Sequence, residues 1–274
     1  MTEFDAVAVG RRVLAAEADA LTQQADGLGA AFAKAVDILY AAKGKIVCSG
    51  IGKSGHVARK IAATFASTGA PAFFVHANEA SHGDLGMIAD GDVILALSKS
   101  GQNQELADIL AYSRRFHIPL IALTAAPDSP LGQAADVVLQ LADAAEVTAE
   151  VKAPTTSTTL QIALGDALAV SLLERRGFTA KDFKTFHPGG KLGAMLRTVG
   201  DLMHGAEELP LVSQNTPMTE ALLHYAARVE HVAVVPEVRI AAALLLEVGT
   251  GALRAPLERM VVDELPGPGR LAVP

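Results

Sequence analysis

Two glycine-rich stretches carry the residue types that grip an anion. The first is Ile46-Val-Cys-Ser-Gly-Ile-Gly-Lys-Ser-Gly-His56, where an apolar run breaks into a loop and then into a helical pattern opening near Lys53. Gly50, Gly52 and Gly55 admit positive φ and close ligand approach, and the first N–H groups of the helix point unpaired at the loop. A phosphate-sized anion is the expected occupant. Two nucleotide-binding readings fall short: the P-loop needs a glycine five residues before Gly52, where Val47 stands. The dinucleotide fingerprint needs an acidic residue closing a second strand about 20 residues on, and the chain has none there. The second stretch is Ser98-Lys-Ser-Gly-Gln-Asn-Gln-Glu105, with the Ser98 and Ser100 hydroxyls, Gly101, and a helix opening near Asn103. Alone it reads most simply as a helix cap; beside the first loop it reads as half of a shared phosphate-ester site.

Other polar residues stand at the ends of apolar runs. Glu79, His82 and Asp84 follow His76, and one histidine with one or two carboxylates is a weak metal pattern, so His76 and His82 leave a metal open without indicating it. Glu146 precedes Thr155-Thr-Ser-Thr-Thr159, a run suited to capping a helix whose entry Pro154 sets. His187 sits in a Pro/Gly turn, Phe186–Gly193.

The elements that must position these residues alternate. Short aliphatic runs at Lys45–Ser49, Ala72–Val75, Val93–Ser98, Leu120–Thr124 and Val137–Leu141 read as strands, with helices between them at 53–68 and 103–115. Apolar spacing from Ala6 to Ala42, interrupted near Gly27 and Gly29, predicts two leading helices, and the stretch after Thr159 predicts a long helix apolar over most of its circumference. This is an α/β pattern: a five-stranded parallel sheet with helices on both faces. In a flavodoxin-like order, 2-1-3-4-5, the first and third strands are neighbours and both glycine loops line one crevice.

Composition narrows the partners. Half of the residues are hydrophobic and 19% are charged, yet the apolar runs read as shorter than the roughly 18 to 20 residues of a membrane span. Glu3 and Asp5 make the N-terminus acidic and unlike a signal peptide, and a single cysteine forms no internal disulfide, which suits the cytoplasm. A net charge of −7 argues against a nucleic-acid surface. A small ligand is expected.

As a set, the motifs resemble the sugar-isomerase (SIS) domain of D-arabinose 5-phosphate isomerases over about residues 30 to 204. The carriers are Gly52-Lys-Ser-Gly-His56, Ala63-Thr-Phe-Ala-Ser-Thr-Gly69, Glu79-Ala-Ser-His-Gly-Asp-Leu-Gly-Met87, Ser98-x-Ser-Gly101, Ala153-Pro-Thr-Thr-Ser-Thr-Thr159, Gly165-Asp-Ala-Leu-Ala-Val170 and His187-Pro-Gly-Gly190. The resemblance implies interconversion of D-ribulose 5-phosphate and D-arabinose 5-phosphate, toward the octulosonate sugar (Kdo) of lipopolysaccharide or capsule. It implies Lys53, Glu105, Glu146 and His187 as the catalytic set, with Glu146 the base, Glu105 the second acid, and His187 reaching in from a neighbouring subunit of a homotetramer. It assigns substrate contacts to Ser49, Gly52, Ser54, Gly69, Ala70, His82, Ser98, Ser100, Gly101, Gln102, Asn103 and Thr155. It makes His76 the position of an occasional zinc and requires no cofactor. The chemistry asks for a base whose pKa a partly dry site has raised, and a cation such as Lys53 for the developing oxyanion.

The chain also departs from that pattern. Lys99 stands where such proteins usually carry Asn, and Gln102-Asn103 replace Glu-Thr/Ser. Glu146-Val-Thr-Ala149 replaces Glu-Ala-Cys-Pro, with Glu150 and Lys152 following. The reading divides the chain into helices at 1–42, the SIS domain at 43–185, a His-Pro-Gly-Gly segment and linker at 186–204, and an incomplete CBS-like region at 205–274. That last region opens with Thr216–Leu223 and His231–Val235 but is too short for two modules, so adenylate regulation within one chain is not expected. Two other readings stand beside the isomerase: a non-catalytic sugar-phosphate sensor, and an isomerase of another phosphosugar.

Overall fold

The computed structural model describes residues 4–148, 151, 153–187, 213, 215–217, 219 and 220. The chain divides into a unit of residues 1–196 and another of 197–274, and the elements below belong to the first. The expected linker from 188 and the CBS-like region lie outside the described residues apart from those few near 216, as do Glu150 and Lys152.

The elements run α1 (Ala6–Asp26), α2 (Ala30–Ala41), β1 (Ile46–Gly50), α3 (Gly52–Ser67), β2 (Ala72–His76), α4 (Ala77–Ala80), β3 (Val93–Leu97), α5 (Ala107–Phe116), β4 (Leu120–Thr124), α6 (Pro130–Ala134), β5 (Val137–Gln140), α7 (Thr156–Arg176) and α8 (Ala180–Phe186). The strands form one parallel sheet in the order β2-β1-β3-β4-β5, the expected topology. Their bounds meet the sequence reading to within a residue. The second inter-strand helix starts later than expected, because Gln104–Leu106 form a 3-10 turn before α5.

Central strands β1, β3 and β4 are buried at every residue, which is why their sequences are continuous aliphatic runs. The pleat divides them between two cores. Ile46, Cys48, Leu95, Leu97, Ile121 and Leu123 pack with α2, α3 and α7 on one face. Val47, Ile94, Ala96, Leu120 and Ala122 pack with Ile109 and Leu110 of α5 and Leu131 of α6 on the other. A one-residue slip would exchange the two sets, so burial on both faces fixes the register through shape as well as polarity. Cys48 is a packing residue, and burial pushes its thiol far above the ordinary range.

By length and composition α7 could cross a bilayer, which the sequence reading of short apolar runs did not anticipate. Instead, Leu160, Leu164, Leu168 and Leu172 are buried in the core that holds Ile61 and Phe65 of α3.

Helix α1 buries only Ala20 and Gln24. The Gln24 side chain ties it to the sheet edge: Nε2 donates to the Gln140 carbonyl at 3.1 Å, and Oε1 accepts the Ala142 N–H at 2.8 Å. Gln24→Ala removes both bonds and leaves the Gln140 carbonyl and the Ala142 N–H to find other partners. A loss of about 1–3 kcal/mol in urea denaturation is expected, with unchanged far-ultraviolet circular dichroism; an unaltered midpoint would show that α1 is held by other contacts.

Candidate functional site

A cleft of about 480 Å³ opens at the carboxyl ends of β1, β3 and β4, within the size range of small-ligand sites. Its walls are Ile51, Lys53 and Ser54 from the β1 loop and first turn of α3; Lys99, Ser100 and Asn103 after β3; Ala125 and Ala126 after β4; and Pro154 and Ser157 at the start of α7. The strand order reverses between β1 and β3, so the two glycine loops meet as the topology requires.

Helix direction gives the cleft its charge. The first turns of both α3 and α7 line it, and neither has an acidic residue or a side-chain cap bond from its N-cap residue. At their other ends Arg176 donates to the Gly69 carbonyl at 3.0 Å, so the helices run side by side in one direction. Two positive helix ends and two lysines therefore face one space. Among the described residues Lys53 has no ion-pair partner. Gly52 alone of its loop takes positive φ, at 56°. Gly50 and Gly55 are needed for another reason: a Cβ on Gly55 would lie 2.7 Å from the Gly50 carbonyl oxygen.

Within the β3 loop the hydroxyls divide. Ser100 lines the cleft. Ser98 is buried, donates to Asn103 Oδ1 at 2.5 Å and accepts the Gly101 N–H at 3.0 Å, so its hydroxyl builds the turn and does not face the cleft. Gly101 has φ of 64° with Ser129 packed against its α-carbon, which leaves no room for a side chain. Gln102 is exposed and its N–H reaches Ser100 Oγ at 3.3 Å.

Glu146 is held more firmly than the expected base. Its side chain is 6% exposed. It accepts from Lys99 Nζ at 2.6 Å, Ser157 Oγ at 2.5 Å, Thr155 N at 2.8 Å, Thr155 Oγ1 at 3.2 Å and Ser157 N at 3.4 Å. The carboxylate thus serves as the anion at the α7 N-terminus. Burial pushes its pKa upward, but the Lys99 ammonium, the Ser157 hydroxyl and the backbone N–H groups outweigh burial and draw it down to about 2. The raised basicity expected from sequence is absent in this arrangement, because that expectation counted the dry site and not the donors.

Other expected site residues stand elsewhere in the chain. Glu105 is exposed in its 3-10 turn, and Ser49 is fully buried in β1. His82 is exposed beyond α4. Gly69 and Ala70 join the end of α3 to β2, at the opposite edge of the sheet; sixteen residues of helix put about 24 Å between them and the cleft. Phe178 packs on Gly69 and stacks with Phe186, next to His187, whose ring lies over Phe183 at 3.8 Å. Gly69, Ala70 and His187 therefore gather at that far edge. His76 caps α4 by accepting the Asn78 N–H on Nδ1 at 3.3 Å and shares a small cavity with His56, Arg59 and Phe74. Among the described residues no three His, Cys, Asp or Glu gather within reach of one metal ion. Sequence reading treated Ser157 as a cap and Lys99 as a departure only; their approach to Glu146 across 11 and 47 residues depends on how the β5–α7 segment folds back.

Comparisons with known proteins agree with this fold. The SIS domain model matches residues 38–171. Arabinose 5-phosphate isomerase KdsD of Shigella flexneri is 47% identical over 221 residues, covering 80% of this chain and 67% of the relative. The Pseudomonas aeruginosa protein of the same name is 49% identical over 221 residues, covering 80% and 68%. A structure of an Escherichia coli CFT073 protein in complex with arabinose 5-phosphate aligns with a TM-score of 0.66 at 38% identity, over 69% of this chain and 100% of that one.

The depressed carboxylate links to stability with a definite sign. Stability from Glu146 is fully present above its ordinary value of 4.5 and is lost as pH falls from there toward about 2. In urea denaturation the gap between wild type and Glu146→Gln is expected to be widest near neutral pH and to narrow below about pH 4.5; a gap independent of pH would deny the donors their role.

Proposed function

Since this chain belongs to the arabinose 5-phosphate isomerase family of SIS-domain proteins, we propose that it interconverts D-ribulose 5-phosphate and D-arabinose 5-phosphate through an enediol. The observation that carries the reading is the meeting of two helix N-termini, Lys53, Lys99 and the Ser54 and Ser100 hydroxyls in one cleft. A phosphate dianion finds there the N–H groups and cations it requires.

The sugar extends from that seat toward Glu146, the base that takes a proton from C1 of the ketose and returns one to C2 of the aldose. Lys53 and the first N–H groups of α3 stabilise negative charge on oxygen as the enediol forms. Glu105 supplies the second acid. Gly69, Ala70 and His187, gathered at the far edge of the same sheet, act in a neighbouring copy's cleft within a homotetramer, where His187 shuttles protons or opens the cyclic sugar. The product feeds octulosonate synthesis for lipopolysaccharide or capsule, in the cytoplasm, without cofactor.

A sensor that binds without turnover is favoured by one observation, the pairing of Lys99 with the proposed base. Proton NMR in D₂O separates the two readings. Isomerisation of D-ribulose 5-phosphate is expected to give arabinose 5-phosphate with deuterium at C2, and Glu146→Gln is expected to cut turnover by about 10²–10⁴-fold with the fold intact. Saturable binding in calorimetry with no turnover would establish the sensor.

A further inference from the structure

Lys99 stands between the two halves of the site. Its ammonium is on Glu146 at 2.6 Å, and its side chain also forms cleft wall beside Ser100 and opposite Ser54. That side chain is 43% exposed, so moving its head costs little packing. Glu146 has the opposite character: at 6% exposure and fixed by Thr155 and Ser157, it cannot follow. Of the pair, only the lysine is free to change partner.

Resting on the isomerase reading, we propose that Lys99 is a substrate-triggered counter-ion: it neutralises Glu146 in the free protein and passes to the phosphate when the sugar phosphate enters. A phosphate ester carries about −1.5 to −2 charges on three oxygens, so it competes well for the ammonium against a single carboxylate that four other donors already satisfy. After the exchange Glu146 keeps only neutral donors from α7. Among the described residues lining the cleft the other charge is Lys53 of α3; the loop after β4 contributes Ala125 and Ala126, and the first turn of α7 has no acidic residue. The largest of the influences that lower its pKa is then gone, and the carboxylate gains basicity at the moment a proton is to be taken. Lys99 is thus a phosphate-binding residue and, through Glu146, a positioning residue for the base. This accounts for a cation at a position where the resemblance leads one to expect Asn.

The exchange predicts a split between two pH profiles, because kcat/KM reports ionisations of the free protein and kcat those of the complex. In Lys99→Met, KM for D-ribulose 5-phosphate is expected to rise at least tenfold. The acid limb of kcat/KM should appear at least one pH unit higher than in wild type, while the acid limb of kcat stays in place. The substrate phosphate ionises at about pH 6 in both proteins, so the Glu146 limb appears below it as a further steepening of the profile, and it is that break which is compared. Lys99→Arg should restore both KM and the wild-type profile. If the kcat limb moves together with that of kcat/KM, Lys99 remains on Glu146 in the complex and the exchange is refuted; if the kcat/KM limb stays put, the pair has no such role. Calorimetry with inorganic phosphate needs no turnover and stands apart from the isomerase reading: affinity should fall at least tenfold in Lys99→Met and recover in Lys99→Arg, and an unchanged affinity overturns the proposal.

Discussion

Winding all five strands in one direction forces every loop that leaves a strand's carboxyl end to the same edge of the sheet, and every helix that follows such a loop starts there. In this chain that constraint aims the N-termini of α3 and α7 at one cleft. A concentrated positive potential follows from it without any charged side chain, and at α7 it is Glu146 that accepts the first N–H groups. Lys53, Lys99, Ser54 and Ser100 then refine a seat that the backbone has already made electropositive. A chain with a net charge of −7 can therefore present a cleft with a local excess of positive charge.

The same N-terminal field explains the state of Glu146. A carboxylate placed at the start of α7 is stabilised as an anion, and Ser157 and Thr155 add hydroxyl and backbone donors. Such a carboxylate is well ordered and weakly basic. An isomerase needs the order but not the weakness, and the partner that can be removed is the one on a flexible, half-exposed stem. Precise placement and reactivity pull in opposite directions here, and a movable counter-ion lets one residue satisfy both.

A related division separates the two edges of the sheet. The cleft holds the charged and hydroxyl groups, whereas Gly69, Ala70 and His187 cluster about a helix length away around Phe178 and Phe186. Rigid packing of α3 against α7, with Ile61 directly over Gly165, keeps the two groups apart within one chain. A second copy is the simplest way to bring groups of both kinds together, and the proposed homotetramer supplies one.

Much of this was legible in residue order. Continuous aliphatic runs in β1, β3 and β4 announced strands buried on both faces, their alternation with helical spacing announced a parallel sheet, and glycine with serine at the ends of β1 and β3 announced an anion site. These signals are local, carried by side-chain size and backbone freedom over a few residues. Ser98 and Ser100 differ by position in one turn, and only the turn's geometry sends one hydroxyl to Asn103 and the other to the cleft. Glu146, Lys99 and Ser157 are likewise far apart or differently placed along the chain, so their meeting depends on the path between β5 and α7. By itself the sequence determined the parallel sheet and the kind of ligand, because those follow from periodicity and glycine placement, while the strand order entered as the flavodoxin-like arrangement that the fold then bears out. Only tertiary structure decided which donors surround Glu146 and so how basic it is, because hydrogen bonding and burial are properties of contacts between segments.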